Sequence, residues 1–195
     1  MTTISALENI HTKGLFGDYE NKNETDLLKI SENKNLLIVQ IVQYKNSSIS
    51  FDDINIDNLK LKNDPLTVIS NNDTRILWNG PKNWLLTSTK KDLIKNIIEV
   101  FKETDFAVTD LSHSRAIIEL EGYNAKEVLK KGCPYNFNLL GKNNCVNSTY
   151  NGIAFAVDMI DDQPLKIRLF SLRSFGESFY HSISDSSLEF GYKAI

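Results

Sequence analysis

The chain has 195 residues, 41% of them hydrophobic and 24% charged, proportions that argue against a disordered, fibrous or membrane-embedded class. Its 22 basic and 25 acidic residues leave a net charge of -3, which provides no broad positive field for a phosphate backbone and argues against a nucleic-acid partner. A chain of this length can bury a self-sufficient core as one larger domain or two small ones.

Residues 1–35 are polar and weakly patterned and read as an extended N-terminal arm. The opening MTTISALENIHTKG has no apolar run behind a basic head, and the longest apolar run, LLIVQIV at 36–42, is far below the roughly 20 residues that cross a bilayer. A cytoplasmic chain with no membrane partner is expected. LLIVQIVQY reads as a strand, and an irregular connection follows as far as Pro65. RILW and WLLTS form two strands around the turn NGPKN. A helix should come next, with Thr89 and Asp92 as a capping box and Leu93, Ile94, Ile97, Ile98 and Phe101 on one face.

RAIIELE alternates Ala116, Ile118 and Leu120 against Arg115, Ile117, Glu119 and Glu121, a strand with one buried and one mixed face. Glu119 and Glu121 share that mixed face, which reads as solvated. Asn124 and Glu127 propose a second capping box, opening a helix over AKEVLKK that closes at Gly132 and Pro134. NSTYNGIAFAVD and LKIRLFSL read as strands paired around DDQP. Ser174 and Glu177 form a third box ahead of a helix that buries Phe175, Phe179 and Ile183. The order strand, short link, amphipathic helix occurs twice. The expected fold is therefore α+β, with an arm over 1–35 and a domain over 36–195 built from two related units, roughly 36–110 and 111–195.

The reactive residues are few. Asp110, Ser112 and His113 fall within four positions, but in extended backbone His113 points away from the other two, so the three do not converge as a triad. Asp110 and Ser112 are expected to bond local backbone. The three histidines and two cysteines show no metal-ligand spacing, so no metal is expected and Cys133 and Cys145 read as reduced structural thiols. Neither GxGxxG nor GxxxxGK occurs, so the usual phosphate cradles are missing. Trp78 and Trp84 bracket the NGPKN turn and can pack or stack on a ligand. Arg115 and Arg173 are each able to clamp a carboxylate or anchor a protein contact. With His113, these four are the candidate ligand or interface residues; no residue qualifies as catalytic.

Several motifs nevertheless occur in a recognisable order. DLSH at 110–113, a strand, GYNAKEVL at 122–129 and KGCP at 131–134 resemble the folate-binding aminomethyltransferases of the glycine-cleavage T-protein type. ILWNGPKNWLL and RSFGESF at 173–179 make the chain more similar to the gamma-subunit family of heterotetrameric sarcosine oxidases. The resemblance runs from about residue 75 to 191 and implies two ferredoxin-like units with antiparallel sheets, like the folate-binding region of T-protein. It implies a non-catalytic subunit of a complex that oxidises sarcosine to glycine, forming hydrogen peroxide and 5,10-methylenetetrahydrofolate. It also implies alpha, beta and delta partner subunits, chiefly alpha, which carry FAD, FMN, NAD and tetrahydrofolate, with no cofactor on this chain.

T-proteins place a working Asp soon after the Gly-x-x-Ala helix. Here the stretch is Cys133-Pro134-Tyr135-Asn136, and an amide cannot take the proton a carboxylate takes. The rival reading is a stand-alone folate-binding aminomethyl-transfer protein. Reuse of the fold for iron–sulfur assembly fits less well, because KGC runs directly into Pro134.

Overall fold

The structure is a computed structural model that describes residues 4–195. In chain order the elements are β1 (Gly14–Phe16), β2 (Leu28–Glu32), β3 (Leu37–Gln43), the two-residue strands β4 (Asn55–Ile56) and β5 (Leu59–Lys60), β6 (Val68–Ser70), β7 (Thr74–Gly80) and β8 (Asn83–Ser88). Then come α1 (Leu93–Val100), β9 (Phe106–Asp110), β10 (Arg115–Glu121), α2 (Ala125–Gly132), β11 (Cys145–Tyr150), β12 (Ile153–Asp162), β13 (Leu165–Leu172), α3 (Gly176–Ser187) and β14 (Tyr192–Ala194). No helix among the described residues is long and apolar enough to cross a membrane.

The chain divides into two compact units: an insert unit of Asn35–His113 with Asn143–Cys145, and a terminal unit made of the remainder. The insert unit holds a five-stranded sheet ordered β6-β7-β8-β3-β9 in which every pairing is antiparallel. The chain order β3, β7, β8, α1, β9 on this sheet is that of a ferredoxin-like unit. Its first crossover helix is replaced by the irregular stretch holding β4 and β5.

Alternation puts Val39, Ile41, Ile76, Trp84 and Leu86 on one sheet face, where α1 covers them with Ile97 and Phe101. Phe101 meets Phe106 edge-on, with ring centres 4.9 Å apart. The buried stripe of α1 is narrower than its sequence promises, since Ile98 is 57% exposed. Asp57 and Asn58 both have positive φ, the geometry of a two-residue turn joining twisted strands, and close the small β4–β5 hairpin. The Asp57 carboxylate then accepts from Thr74 Oγ1 at 2.6 Å and from Lys90 Nζ at 2.9 Å, which ties the hairpin to β7 and to the start of the helical segment.

The terminal unit holds a seven-stranded sheet ordered β1-β14-β2-β10-β13-β12-β11. β14 runs parallel to β2, while β1–β14, β2–β10, β10–β13 and β12–β13 are antiparallel. Here β10, α2, β12, β13, α3 and β14 repeat the ferredoxin-like order, with β2 inserted between the last strand and the first. Ile118, Leu120, Val157 and Leu169 meet Val128 and Leu129 of α2 and Phe179 and Ile183 of α3.

Two glycines in the quoted motifs have packing reasons. A Cβ on Gly132 of KGCP would stand 2.7 Å from the Tyr150 ring, and one on Gly176 of RSFGESF would stand 3.0 Å from the Ala116 methyl. Each lets a helix approach the sheet that closely.

Several expectations are corrected. Of the expected arm over 1–35, residues 1–3 lie outside the described residues, but residues 4–34 are built into the terminal unit. Leu7, Leu28 and Ile30 are buried, and β2 sits between β14 and β10. The apolar alternation there is too short to read locally, because its pairing partners lie far along the chain. The unit boundary falls after His113 rather than after residue 110, and residues 143–145 rejoin the insert unit.

The three capping boxes also do not form. The residues before α1, α2 and α3 are Asp92, Asn124 and Phe175, and none makes a side-chain cap bond. Phe175 itself is exposed rather than buried. β10 has both faces buried from Ala116 to Leu120, so its second face is not an open mixed one.

Candidate functional site

The DLSH stretch, where a catalytic group would be sought first, is a strand clasp. The Ser112 hydroxyl donates to Asp110 Oδ1 at 2.6 Å, and the Ser112 N–H donates to the same oxygen at 2.9 Å. The Ser112 oxygen in turn accepts from the Ile38 N–H at 3.0 Å, and the Leu111 N–H donates to the Ile38 carbonyl at 2.7 Å. Asp110 and Ser112 thus fasten the end of β9 to the start of β3. His113 follows as an exposed residue. A serine whose proton is committed to a carboxylate, and whose lone pair is committed to a backbone donor, is not an activated nucleophile.

Trp84 is fully buried in the insert-unit core. Its Nε1 donates to the Lys62 carbonyl at 2.6 Å, and its ring packs on Phe51 with centres 5.4 Å apart. Trp78 stands opposite Trp84 in the β7–β8 ladder, half-buried, and its Nε1 has no hydrogen-bond partner among the described residues. Both indoles belong to the insert unit.

The two arginines belong to the terminal unit, and the fold brings them to one end of its sheet. Arg115 pairs with Leu172 across β10–β13, which places Arg173 one residue beyond. Both engage Ser114: the Arg173 N–H donates to the Ser114 carbonyl at 2.9 Å, and Arg115 Nη1 donates to the Ser114 hydroxyl at 3.2 Å. The Arg173 guanidinium also donates to the Ile4 carbonyl. Burial lowers the Arg115 pKa from its ordinary value. Leu172 and Phe175 are exposed beside these residues, so this end of the sheet combines cationic and apolar groups.

The pattern of the sequence missed the charge network on β10. Glu119 is buried, and it receives Arg168 Nε at 2.8 Å, Asn33 Nδ2 at 2.9 Å and Lys166 Nζ at 3.0 Å. Burial alone would raise its pKa, but the Arg168 charge and the bonds from Asn33 and Lys166 outweigh burial and hold it at about 2. Glu121 pairs with Lys29 at 2.8 Å. The two carboxylates therefore form neither a solvated face nor an acid/base couple. Their cross-strand partners were the available signal, since the register sets Arg168 and Lys166 opposite Glu119 and Glu121.

Both cysteines and Asn136 are also occupied. Cys133 and Cys145 are free and buried; Cys133 Sγ donates to Ser148 Oγ at 3.2 Å, and Cys145 Sγ to the Trp78 carbonyl at 3.3 Å. Asn136 Oδ1 accepts from the Asn138 N–H at 3.2 Å and caps a short turn over Phe137–Leu139. Among the described residues no group of three His, Cys, Asp or Glu side chains is placed to hold a metal. A cleft opens in each unit among the described residues. In the terminal unit, about 600 Å³ opens between the Gly122-Tyr123-Asn124 turn and Asp162–Leu165, beside Tyr123, which is 87% exposed. In the insert unit, about 420 Å³ opens between α1 and β9.

Residues 55–189 match the model of the sarcosine oxidase, gamma subunit family. The chain belongs to that family. Among relatives of this gamma-subunit family, the sarcosine oxidase subunit gamma of Corynebacterium sp. strain U-96 is 28% identical over 120 residues, covering 60% of this chain and 58% of that one. The strain P-1 subunit is 27% identical over 125 residues, covering 63% and 61%. The matched stretches thus span less than two thirds of those relatives' length.

A chain of the heterotetrameric sarcosine oxidase from Corynebacterium sp. U-96, solved in complex with pyrrole 2-carboxylate, superposes with a TM-score of 0.81 at 21% identity over 96% of both chains. The glycine cleavage system aminomethyltransferase T of Bartonella henselae superposes at 0.58 and 12% identity, covering 83% of this chain and 46% of that one. The fold is therefore that of a chain of that oxidase, and it is shared with part of a T-protein.

Proposed function

We propose that this chain is a non-catalytic structural subunit of a heterotetrameric sarcosine oxidase. The complex converts sarcosine to glycine and forms hydrogen peroxide and 5,10-methylenetetrahydrofolate. The observation that carries the reading is the family match over residues 55–189. Its partners are the alpha, beta and delta subunits, chiefly alpha. FAD, FMN, NAD and tetrahydrofolate sit on those partners, and the complex works in the cytoplasm. The use of the chain's own polar groups supports this reading: Ser112, Asn136, Glu119 and both thiols serve backbone or neighbouring side chains rather than a cleft.

Co-expression with the alpha, beta and delta chains tests it. The expected result is a stable complex retaining one copy of this chain, together with no heat when tetrahydrofolate is titrated into the isolated chain. Micromolar folate binding by the isolated chain, with no complex formed, would overturn the proposal in favour of the stand-alone transfer protein.

A further inference from the structure

The cleft of the insert unit lies beside an open sheet edge. β9 is the last strand of its sheet, paired only with β3. At its two ends the Tyr44 N–H donates to the Asp105 carbonyl at 2.8 Å, and the Leu111 N–H to the Ile38 carbonyl at 2.7 Å. Between them the register sets Ala107 opposite Val42 and Thr109 opposite Gln40. Bonded and non-bonded pairs alternate in an antiparallel ladder, so Ala107 and Thr109 give their backbone groups to β3 while Val108 and Asp110 turn theirs outward. The Phe106 N–H on that outer side is taken by the Lys102 carbonyl at 2.9 Å.

Such edges are ordinarily blunted by charged side chains, Pro or a bulge; FAVTD has no Pro, Lys or bulge, and its one charged residue, Asp110, is held by Ser112. Along the edge runs the cleft of about 420 Å³, lined by Tyr44, Ile98, Phe101, Phe106 and Val108. Tyr44 and Ile98 are both exposed there, and Glu103 is the one charged residue in the lining.

We propose that β9 is completed by an extended segment of a partner subunit, added as a sixth strand. Its alternate apolar side chains enter the groove between β9 and α1, and a basic residue passes Glu103. This rests on the subunit reading above and deepens it by locating one contact and its chemistry. Backbone pairing supplies the affinity in strand addition, and the pockets for alternate side chains supply the selectivity. A second copy of this chain fits worse. The edge segment FAVTD carries a carboxylate and no Lys or Arg, so a second β9 offers no basic residue to pass Glu103.

Residue-resolved hydrogen exchange on the isolated chain and on the assembled oxidase tests the proposal. The Val108 and Asp110 amides should exchange freely in the isolated chain and slow by about 100-fold or more in the complex, while Ala107 and Thr109 stay slow in both. Free exchange at Val108 and Asp110 within a properly assembled complex overturns this inference and leaves the subunit role intact. A chain that never joins the complex overturns both. Protection that grows with concentration of the isolated chain assigns the edge to a second copy and also overturns the proposal.

Val108→Pro removes an outward N–H at an edge position where Pro is tolerated, along with a side chain that packs on the core, and should weaken retention in the complex by about 10-fold in a variant whose cooperative melting shows it still folds. If that variant does not fold, exposed Ile98→Glu takes its place. Wild-type retention of Ile98→Glu overturns the proposal.

Discussion

Glu119 shows how one residue is decided by its neighbours rather than by its own strand. The alternation of RAIIELE was legible and correctly put Ala116, Ile118 and Leu120 in a core. It could not show that the opposite face is also buried, because alternation reports the period of a strand and not what lies over each side. Buried beside Arg168 and Lys166, Glu119 stays ionised with a pKa of about 2 against 4.5 in the unfolded chain. A lowered carboxylate pKa stabilises the fold fully above the unfolded value, and this contribution fades as pH falls from about 4.5 toward about 2. The shift corresponds to about 3 kcal/mol. Glu119→Ala leaves the Arg168 guanidinium without its partner and should cost about 3 kcal/mol at pH 7. Urea unfolding between pH 7 and pH 2 checks both. The variant should start less stable and lose less on acidification, and an acid limb as steep as the wild type's would rule the assignment out.

Helices and strands were legible at the level of elements because their periods are local. WLLTS, RAIIELE, AKEVLKK and the closing helix all form where the pattern put them. Their caps were not legible. A capping box needs extended backbone at the cap residue, whereas Asn124 (φ -83, ψ 1) enters its helix through a tight turn, and the residue that precedes α1 is Asp92 (φ -69, ψ -13) rather than the expected cap Thr89. Thr89 instead donates to exposed Asp73 at 3.2 Å. The element that does depend on a side chain is β9, through Ser112. Ser112→Ala strands the Ile38 N–H at a buried strand and should cost about 1–3 kcal/mol, whereas Thr89→Ala should stay within about 0.5 kcal/mol. Denaturant midpoints of the two variants separate the cases, and equal losses would mean that the Ser112 clasp contributes nothing.

For the whole molecule, the two-unit α+β plan was legible from the repeated order of strand, link and helix. The division of the chain was not, because β2 finds its partners in β10 and β14, more than eighty residues away in sequence, and no local pattern encodes that pairing. The candidate residues divide the same way: Trp78, Trp84 and His113 fall in the insert unit, Arg115 and Arg173 in the terminal unit. On the proposed role of a structural subunit, the reaction of the complex should not depend on a proton carried by this chain. His113→Ala is the strongest single test, since His113 is exposed while its neighbours Asp110 and Ser112 are committed to the clasp between β9 and β3. The complex built with that variant should keep its subunit stoichiometry and its kcat to within about 2-fold, because a positioned general acid or base is worth about 100-fold or more. Steady-state turnover of sarcosine, measured alongside the mass of the complex, distinguishes the outcomes. A 100-fold fall in kcat at unchanged assembly would move a catalytic group onto this subunit.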